Sequence, residues 1–456
     1  MGILHRKHQF HVARSRVLAQ PAQIIASSFL LAILTGALLL ASPWASASKS
    51  WTPFIDAVFT ATSAVCVTGL TVVDTAEHYS LFGQVVILVL IQLGGLGIML
   101  VASLISLSIL GKLSFKSRVI AQTEARAIQG FDVARTARSI VKTTLIIEAT
   151  VGVLLFLRFL VGYGYEPYRA LGHGIFHAVS AFNNAGFALY STNLMDFVSD
   201  PWICLPISAA IILGGLGFPV MLQLKRHLKN SLKWSMNTKL VLAATVVLLL
   251  GGTLYITVLE WNNPHTLGSL PPADRILAGF FQSVQTRTAG FNSIDIGQMH
   301  SASWLGMDVL MFIGAGPAGT AGGIKVTTFA VLLFIVLTEL RGESAVNIFG
   351  KRLSRSIHRQ AITVALLGVA AVFIGTIILL LATEYSLDRC LFEAVSAFGT
   401  VGLSTGITAD LPGIGKVVLI ALMYLGRVGV LSLGSALALK DRKALYELPK
   451  ERPAIG

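Results

Sequence analysis

The sequence predicts an all-α membrane protein of eight transmembrane helices, arranged as four span–re-entrant loop–span repeats with fourfold pseudo-symmetry. Three observations predict it. The 456 residues are 54% hydrophobic and 12% charged, about half the charged share of a soluble domain. Eight apolar stretches, near 22–46, 82–110, 139–162, 202–224, 239–260, 304–338, 360–383 and 415–439, reach the roughly 20 residues needed to cross ~30 Å of hydrocarbon. Every second connection carries the same short motif.

Orientation follows from Lys and Arg. Of the 35, 26 lie in the N-terminal tail, the loops within 111–142, 225–239 and 341–359, and the C-terminal tail; the other side has only Lys49, Arg169, Arg275, Arg287, Arg389 and Lys416. The positive-inside bias then makes both termini and the three polar loops cytosolic. The net charge of +13 is thereby mostly topology, not a nucleic-acid footprint, although the basic loops could also dock an acidic partner or anionic lipid. In the first 21 residues the apolar positions are broken by His and by Arg6, Lys7, Arg14 and Arg16, which suits a cytosolic tail and not a signal peptide. Cys66, Cys204 and Cys390 stand singly, without disulfide or zinc spacing.

In chain order, repeat 1 is read at 22–110 with its re-entrant segment at 56–70, and repeat 2 at 139–226 with 173–187. Repeat 3 spans 239–340 with 274–291 and a broken inner helix at 304–340; repeat 4 spans 360–440 with 388–403, and 441–456 is a cytosolic tail. The four segments align as Phe59 to Gly69-Leu70, Phe176 to Gly186-Phe187, Phe280 to Gly290-Phe291 and Phe392 to Gly402-Leu403, with nine residues between Phe and Gly in each. The glycines lie 117, 104 and 112 residues apart, which sets the repeat as one span, one re-entrant segment and one span.

A single Gly after a short apolar helix is ordinarily a turn; four aligned copies call for another reading. Non-helical backbone at membrane depth is tolerated where it lines a water-filled or ion-filled cavity, so four such segments around an axis make a pore. Gly at the return reaches φ > 0 and lets carbonyls turn inward, as the carbonyl rings of potassium filters do. Each short helix precedes its Gly, so its partly negative C-terminal end faces the axis, which suits a cation. The candidate filter is Val67, Thr68, Gly69 and Leu70; Asn184, Ala185, Gly186 and Phe187; Thr288, Ala289, Gly290 and Phe291; and Thr400, Val401, Gly402 and Leu403, with potassium at their carbonyls.

The sixth span runs 37 residues, 304–340, and as a straight helix would be ~55 Å long, nearly twice the hydrocarbon core. It must break, and Gly314, Gly316, Pro317, Gly319, Gly322 and Gly323 mark an unwound segment inside the pore just under the filter. Lys325 beside this segment and Arg427 in the eighth span are charges at membrane depth, which either act on the ion path or cap unwound carbonyls. The GGLG runs at 94–97 and 214–217 read as close helix packing. His173 and His177 lack a third ligand and read as packing or hydrogen-bonding residues. Asp74 and Asp295, each five residues beyond a glycine, either gather cations at the mouth or are ordinary loop carboxylates.

The chain resembles the Trk/Ktr/HKT superfamily of potassium transporters, most closely the membrane subunit of the bacterial Ktr system. The motifs that carry the resemblance are VTGLTVVDT (67–75), FHAVSAFNNAGF (176–187), RTAGFNS (287–293), FEAVSAFGTVGL (392–403) and IGAGPAGTAGGIKVTTF (313–329). Gly69, where sodium-carrying plant relatives often have Ser, and eight spans instead of ten favour the potassium-selective Ktr branch. The resemblance implies a potassium-uptake subunit of the plasma membrane, gated by the Gly-rich loop, with Arg427 along the permeation path. It also implies a homodimer seated on a cytosolic, nucleotide-binding regulatory ring of the RCK type, with no covalent cofactor and sodium as a possible activator. Pro317 and Val430 depart from the Ser and Pro that relatives usually carry, and both touch the gating region. A sodium- or proton-coupled alternating-access symporter is the alternative, but it would be built from inverted repeats. An enzyme would need a catalytic constellation that the sequence does not offer.

Overall fold

A computed structural model describes residues 21–111 and 133–429; most of the 111–138 loop, both tails and Val430 lie outside the described residues. The fold is helical. Helices α1 (Pro21–Ala41), α2 (Phe54–Cys66) and α3 (Leu81–Gly111) are followed by α4 (Val133–Gly162), α5 (Pro167–Asn183) and the pair α6 (Pro201–Leu216) and α7 (Phe218–His227). Next come α8 (Met236–Glu260), α9 (Pro272–Gln285), α10 (Ser301–Phe312), α11 (Val326–Leu340), α12 (Arg355–Ala382), α13 (Leu387–Gly399) and α14 (Gly413–Val428). A small hairpin of β1 (Asn347–Ile348) and β2 (Lys351–Arg352) joins α11 to α12.

Among the described residues, 137–162, 236–260 and 355–382 are each long and apolar enough to cross a membrane, and α6 with α7 qualifies as a bent fourth. Their outward faces keep large apolar side chains exposed, such as Leu250 at 64% and Leu254 at 67%. That pattern is at home in lipid and would be costly in water.

Two sequence expectations change. The 202–224 stretch is two helices bent by 99°, because Gly217 takes φ +87° and Pro219 follows directly after the turn. The eighth stretch ends its helix at Val428, where Gly429 takes φ +85°; its continuation lies outside the described residues. The sixth breaks between Phe312 and Val326, where the Gly-rich run lies.

The packing order positions everything else. The short helices α2, α5 and α13 sit at the centre, with Phe59, Phe182, Phe392 and Phe398 almost wholly buried. Each is flanked by the long helices of its own stretch, α1 and α3 on α2, α4 and α6 on α5, and α12 and α14 on α13; α9 packs on α8. Each following helix also packs on the next short helix, α3 on α5, α6 on α9, α10 on α13, and α14 back on α2. An ion pair between Lys416 at the start of α14 and Asp56 at the start of α2, 2.7 Å long and largely shielded from solvent, ties the last helix to the first.

Candidate functional site

Each short helix ends in the same backbone figure. Val67, Asn184, Thr288 and Thr400 take φ of +56°, +60°, +67° and +50°, and two residues later Gly69, Gly186, Gly290 and Gly402 take +94°, +70°, +78° and +94°. The residue between, Thr68, Ala185, Ala289 or Val401, has negative φ. Alternating the sign of φ turns successive carbonyls toward one side, which a regular helix or strand cannot do. Four non-Gly residues at positive φ are unusual, and such strain persists only where the surroundings enforce it.

Hydrogen bonds within each segment enforce it. In α2, α5 and α13 the left-handed residue and its successor donate back to the helix end, as in Thr68 N to Ser63 O at 2.7 Å, Ala185 N to Ser180 O at 2.7 Å and Val401 N to Ser396 O at 2.8 Å. A serine six residues before each of these glycines adds a side-chain bond. Ser63 Oγ accepts from Gly69 N at 3.0 Å, Ser396 Oγ accepts from Gly402 N at 3.1 Å, and Ser180 Oγ donates to Phe187 O at 2.8 Å. In the third segment Gln285 substitutes, accepting from Phe291 N at 3.1 Å. The filter expectation did not name these residues, although Thr-Ser-Ala, Val-Ser-Ala and Val-Ser-Ala stand in register in three of the four copies.

The glycines meet in a closed cycle. A Cβ built on Gly69 would strike the carbonyl of Ala185 and lie 3.1 Å from the Cα of Gly186. On Gly186 it would meet Ala289 O and the Cα of Gly290 (2.9 Å), on Gly290 Val401 O and the Cα of Gly402 (3.1 Å), and on Gly402 Thr68 O and the Cα of Gly69 (3.0 Å). Each glycine is therefore required twice, by its φ and by the neighbouring segment's carbonyl. Behind the ring, Leu70, Phe187, Phe291 and Leu403 are at most 1% exposed. Thr68 Oγ1, Thr288 Oγ1, Thr400 Oγ1 and one amide atom of Asn184 are buried without a protein partner among the described residues. A buried polar group left unpaired costs about 1–3 kcal/mol.

The loop 313–325 lies against the C-terminal ends of the short helices. Gly316 N donates to Gly215 O at 2.8 Å and Thr320 N to Gly214 O at 3.2 Å, while Thr320 Oγ1 donates to Asn184 Oδ1 at 3.2 Å and Phe182 O at 3.4 Å. Gly322 faces Thr400 and Gly323 faces Gly399, each so closely that a Cβ would collide or crowd. Pro317 places its carbonyl against Gly217, at the bend between α6 and α7, and Gly319 sits against Gly215 O. Gly314 N closes the loop on Ile324 O at 2.8 Å. Arg427, 4% exposed, donates through Nη1 to Thr320 O and through Nη2 to Gly94 O at 2.8 Å. Lys325 Nζ donates to Ala321 O. Both charges hold carbonyls of the loop.

Outside the ring, Asp74 accepts from Ala76 N at 2.7 Å and Asp295 from Gly297 N at 2.9 Å, each capping a short helical turn. In the GGLG runs the first glycines make close helix contacts, Gly94 against Val65 O and Gly214 against Phe182 O, whereas Gly217 leaves the helix at the bend between α6 and α7. No group of three His, Cys, Asp or Glu that could hold a metal occurs among the described residues.

The family model described as TrkH, cation transport protein, matches residues 4–443. The chain belongs to this family of cation transporters. It is 40% identical over 413 residues to the Ktr system potassium uptake protein B of Bacillus subtilis, covering 90% of this chain and 92% of that one. It is 38% identical to the protein of the same name from Vibrio alginolyticus, over the full length of both. A potassium/sodium uptake protein, NtpJ, of Enterococcus hirae is 36% identical over 97% of this chain and 99% of its own. The crystal structure of the potassium transporter TrkH from Vibrio parahaemolyticus has the same fold, with a TM-score of 0.71 at 18% identity, covering 91% of this chain and 85% of that one. The family is one of multi-pass membrane transporters, not enzymes.

Proposed function

We propose that this chain takes up potassium across the plasma membrane through a pore whose selectivity filter is the ring of four glycine segments. Eight spans in four pseudo-symmetric repeats carry the ring, with both termini cytosolic. The observation that carries the reading is the closed cycle Gly69, Gly186, Gly290, Gly402, in which carbonyl-bearing backbone from four segments converges at the C-terminal ends of the short helices. Carbonyl rings replace the hydration shell of a potassium ion, and the partly negative helix ends add to its stabilisation. The names of the Bacillus and Vibrio relatives favour potassium; that of the Enterococcus relative makes sodium the competitor to measure.

Under the filter, the loop at 313–325 is the gate and Arg427 its clamp and electrostatic barrier. A regulatory subunit, expected as a cytosolic nucleotide-binding ring under a homodimer, acts on the gate through the hairpin β1–β2. That hairpin is fixed to the gate's outgoing helix, since Val346, Ile348 and Leu353 are buried in one cluster with Ala330 and Val331 of α11. A symporter with inverted repeats would not bring all four helix C-termini to one ring. The test is ion flux into liposomes containing purified protein. Potassium entry well above sodium entry is expected; equal entry, or none without a co-transported ion, argues against the filter.

A further inference from the structure

Nine residues before the ring glycines stand Thr60, His177, Phe281 and Glu393, and the four behave differently. In the second and fourth segments this side chain reaches across to the backbone that leaves the ring on its far side. Glu393, fully buried, accepts from the backbone N–H of Thr405 at 3.0 Å and from the hydroxyls of Ser404 at 2.6 Å, Thr405 at 3.4 Å and Thr408 at 2.8 Å. His177, also fully buried, accepts through Nε2 from the N–H of Leu189 at 3.3 Å, while its Nδ1 lies 2.8 Å from His173 O. The carbonyl can only accept, so the proton sits on Nδ1 and Nε2 is free to receive. Leu189 and Thr405 occupy the same place, three residues beyond Gly186 and Gly402.

The first and third segments lack this tie. Thr60 donates to Asp56 O of its own helix at 2.9 Å and accepts from Tyr79 at 3.2 Å, and Phe281 has no polar atom. Their exits are secured further along, by the caps of Asp74 and Asp295. Since the segments follow one another round the cycle in chain order, the two tied segments face each other across it.

We infer that Glu393 is a positioning residue for ion discrimination, fixing the outer end of the fourth filter segment, with His177 doing the same for the segment opposite. The inference rests on the filter reading above. A carboxylate has acceptor capacity for all four donors, and bonds to a charged acceptor are stronger and shorter than neutral ones. The four ties hold Leu403 to Thr408 against the helix that also supplies Gly402, so that the ring carbonyls on this side cannot relax around a smaller ion.

The test compares the ratio of KM for potassium to KM for sodium in reconstituted flux. Glu393→Leu removes all four bonds and is expected to shift the ratio toward sodium by about tenfold, the equivalent of 1.4 kcal/mol. Glu393→Gln keeps the Oε1 acceptor and the shape and should stay within about threefold of the wild type. The double variant Ser404→Ala/Thr408→Val loosens the same tie from the other side and decides the matter should Glu393→Leu not fold; it is expected to shift the ratio in the same direction by less. A purely structural role would lower the amount of assembled protein and the maximal rate while leaving the ratio unchanged, and that result would overturn the proposal. Gly402→Ser serves as the control. If it shifts the ratio and the tie variants do not, the positioning role fails and the filter stands; if none shifts it, the filter reading itself fails.

Discussion

The ring and the loop beneath it are both glycine-rich, buried and non-helical, yet they are held in opposite ways. The ring segments are fixed from within their own repeats, by helix-end bonds, by Ser63, Ser180 and Ser396, and by Gln285. The loop closes on itself at Gly314–Ile324, Ala315–Val326, Gly316–Gly319 and Ala321–Lys325, and it is held in place by groups far away in the sequence: Gly214 and Gly215 of α6, Phe182 and Asn184 of the second segment, and Arg427 of α14. A part secured locally keeps its shape when helices move; a part secured by several helices at once is released when any of them moves. The contrast fits the proposed function, in which the ring keeps one geometry and the loop is the element that moves, as a gating scheme requires.

That contrast is open to attack from both ends. Deleting 316–322 should raise basal flux by an order of magnitude or more and leave the preference among ions unchanged, as measured by liposome flux without a partner. Arg427→Gln removes charge-assisted bonds to Thr320 O and Gly94 O, each worth about 1.5–3 kcal/mol, and should raise basal flux roughly tenfold. Ser63→Ala or Ser396→Ala should do the reverse, shifting the potassium-to-sodium ratio by roughly fivefold for the loss of about 1 kcal/mol with no rise in basal flux. If the serine variants opened the pore, or the loop variants changed selectivity, the division of labour would be wrong.

The smallest effect is expected at the hairpin β1–β2 and the start of α12. Lys351, Arg352 and Arg355 are exposed, so each contributes at most about 1 kcal/mol to a charged contact. Neutralising all three should weaken capture of the proposed regulatory subunit several-fold at low salt and flatten its salt dependence, since screening acts on the attraction that has been removed. Undiminished binding across a salt series would leave them as topology determinants alone.

How much of this was legible depends on whether the information repeats. The four glycines could be read because the motif occurs four times at near-equal spacing, and the break in the sixth span because 37 residues are too long for one crossing. The serines were legible in the same alignment but carry no signal in a single copy. The bend at Gly217 was not, because Gly94 and Gly95 open an identical GGLG run in α3, which continues as helix. The difference comes from Pro219 and from the carbonyl of Pro317, a hundred residues away. Arg427 is the same kind of case. Its depth flagged it, but its partner Thr320 lies 107 residues distant, and no local pattern names it. Asp74 and Asp295 were ambiguous until their own backbone N–H partners were seen.

The measurement that bears most directly on the ring is paired potassium and sodium flux in liposomes for the wild type and for Gly69→Ser, Gly186→Ser, Gly290→Ser and Gly402→Ser. Each substitution puts a side chain at positive φ, at a cost of about 1–2 kcal/mol, and drives a Cβ onto a neighbouring segment's carbonyl or the next glycine. A four-glycine filter predicts that the wild type prefers potassium and that all four variants lose that preference by about tenfold or more. Wild-type preference retained in any of the four, with the protein inserted and assembled, would contradict a ring in which every segment contributes.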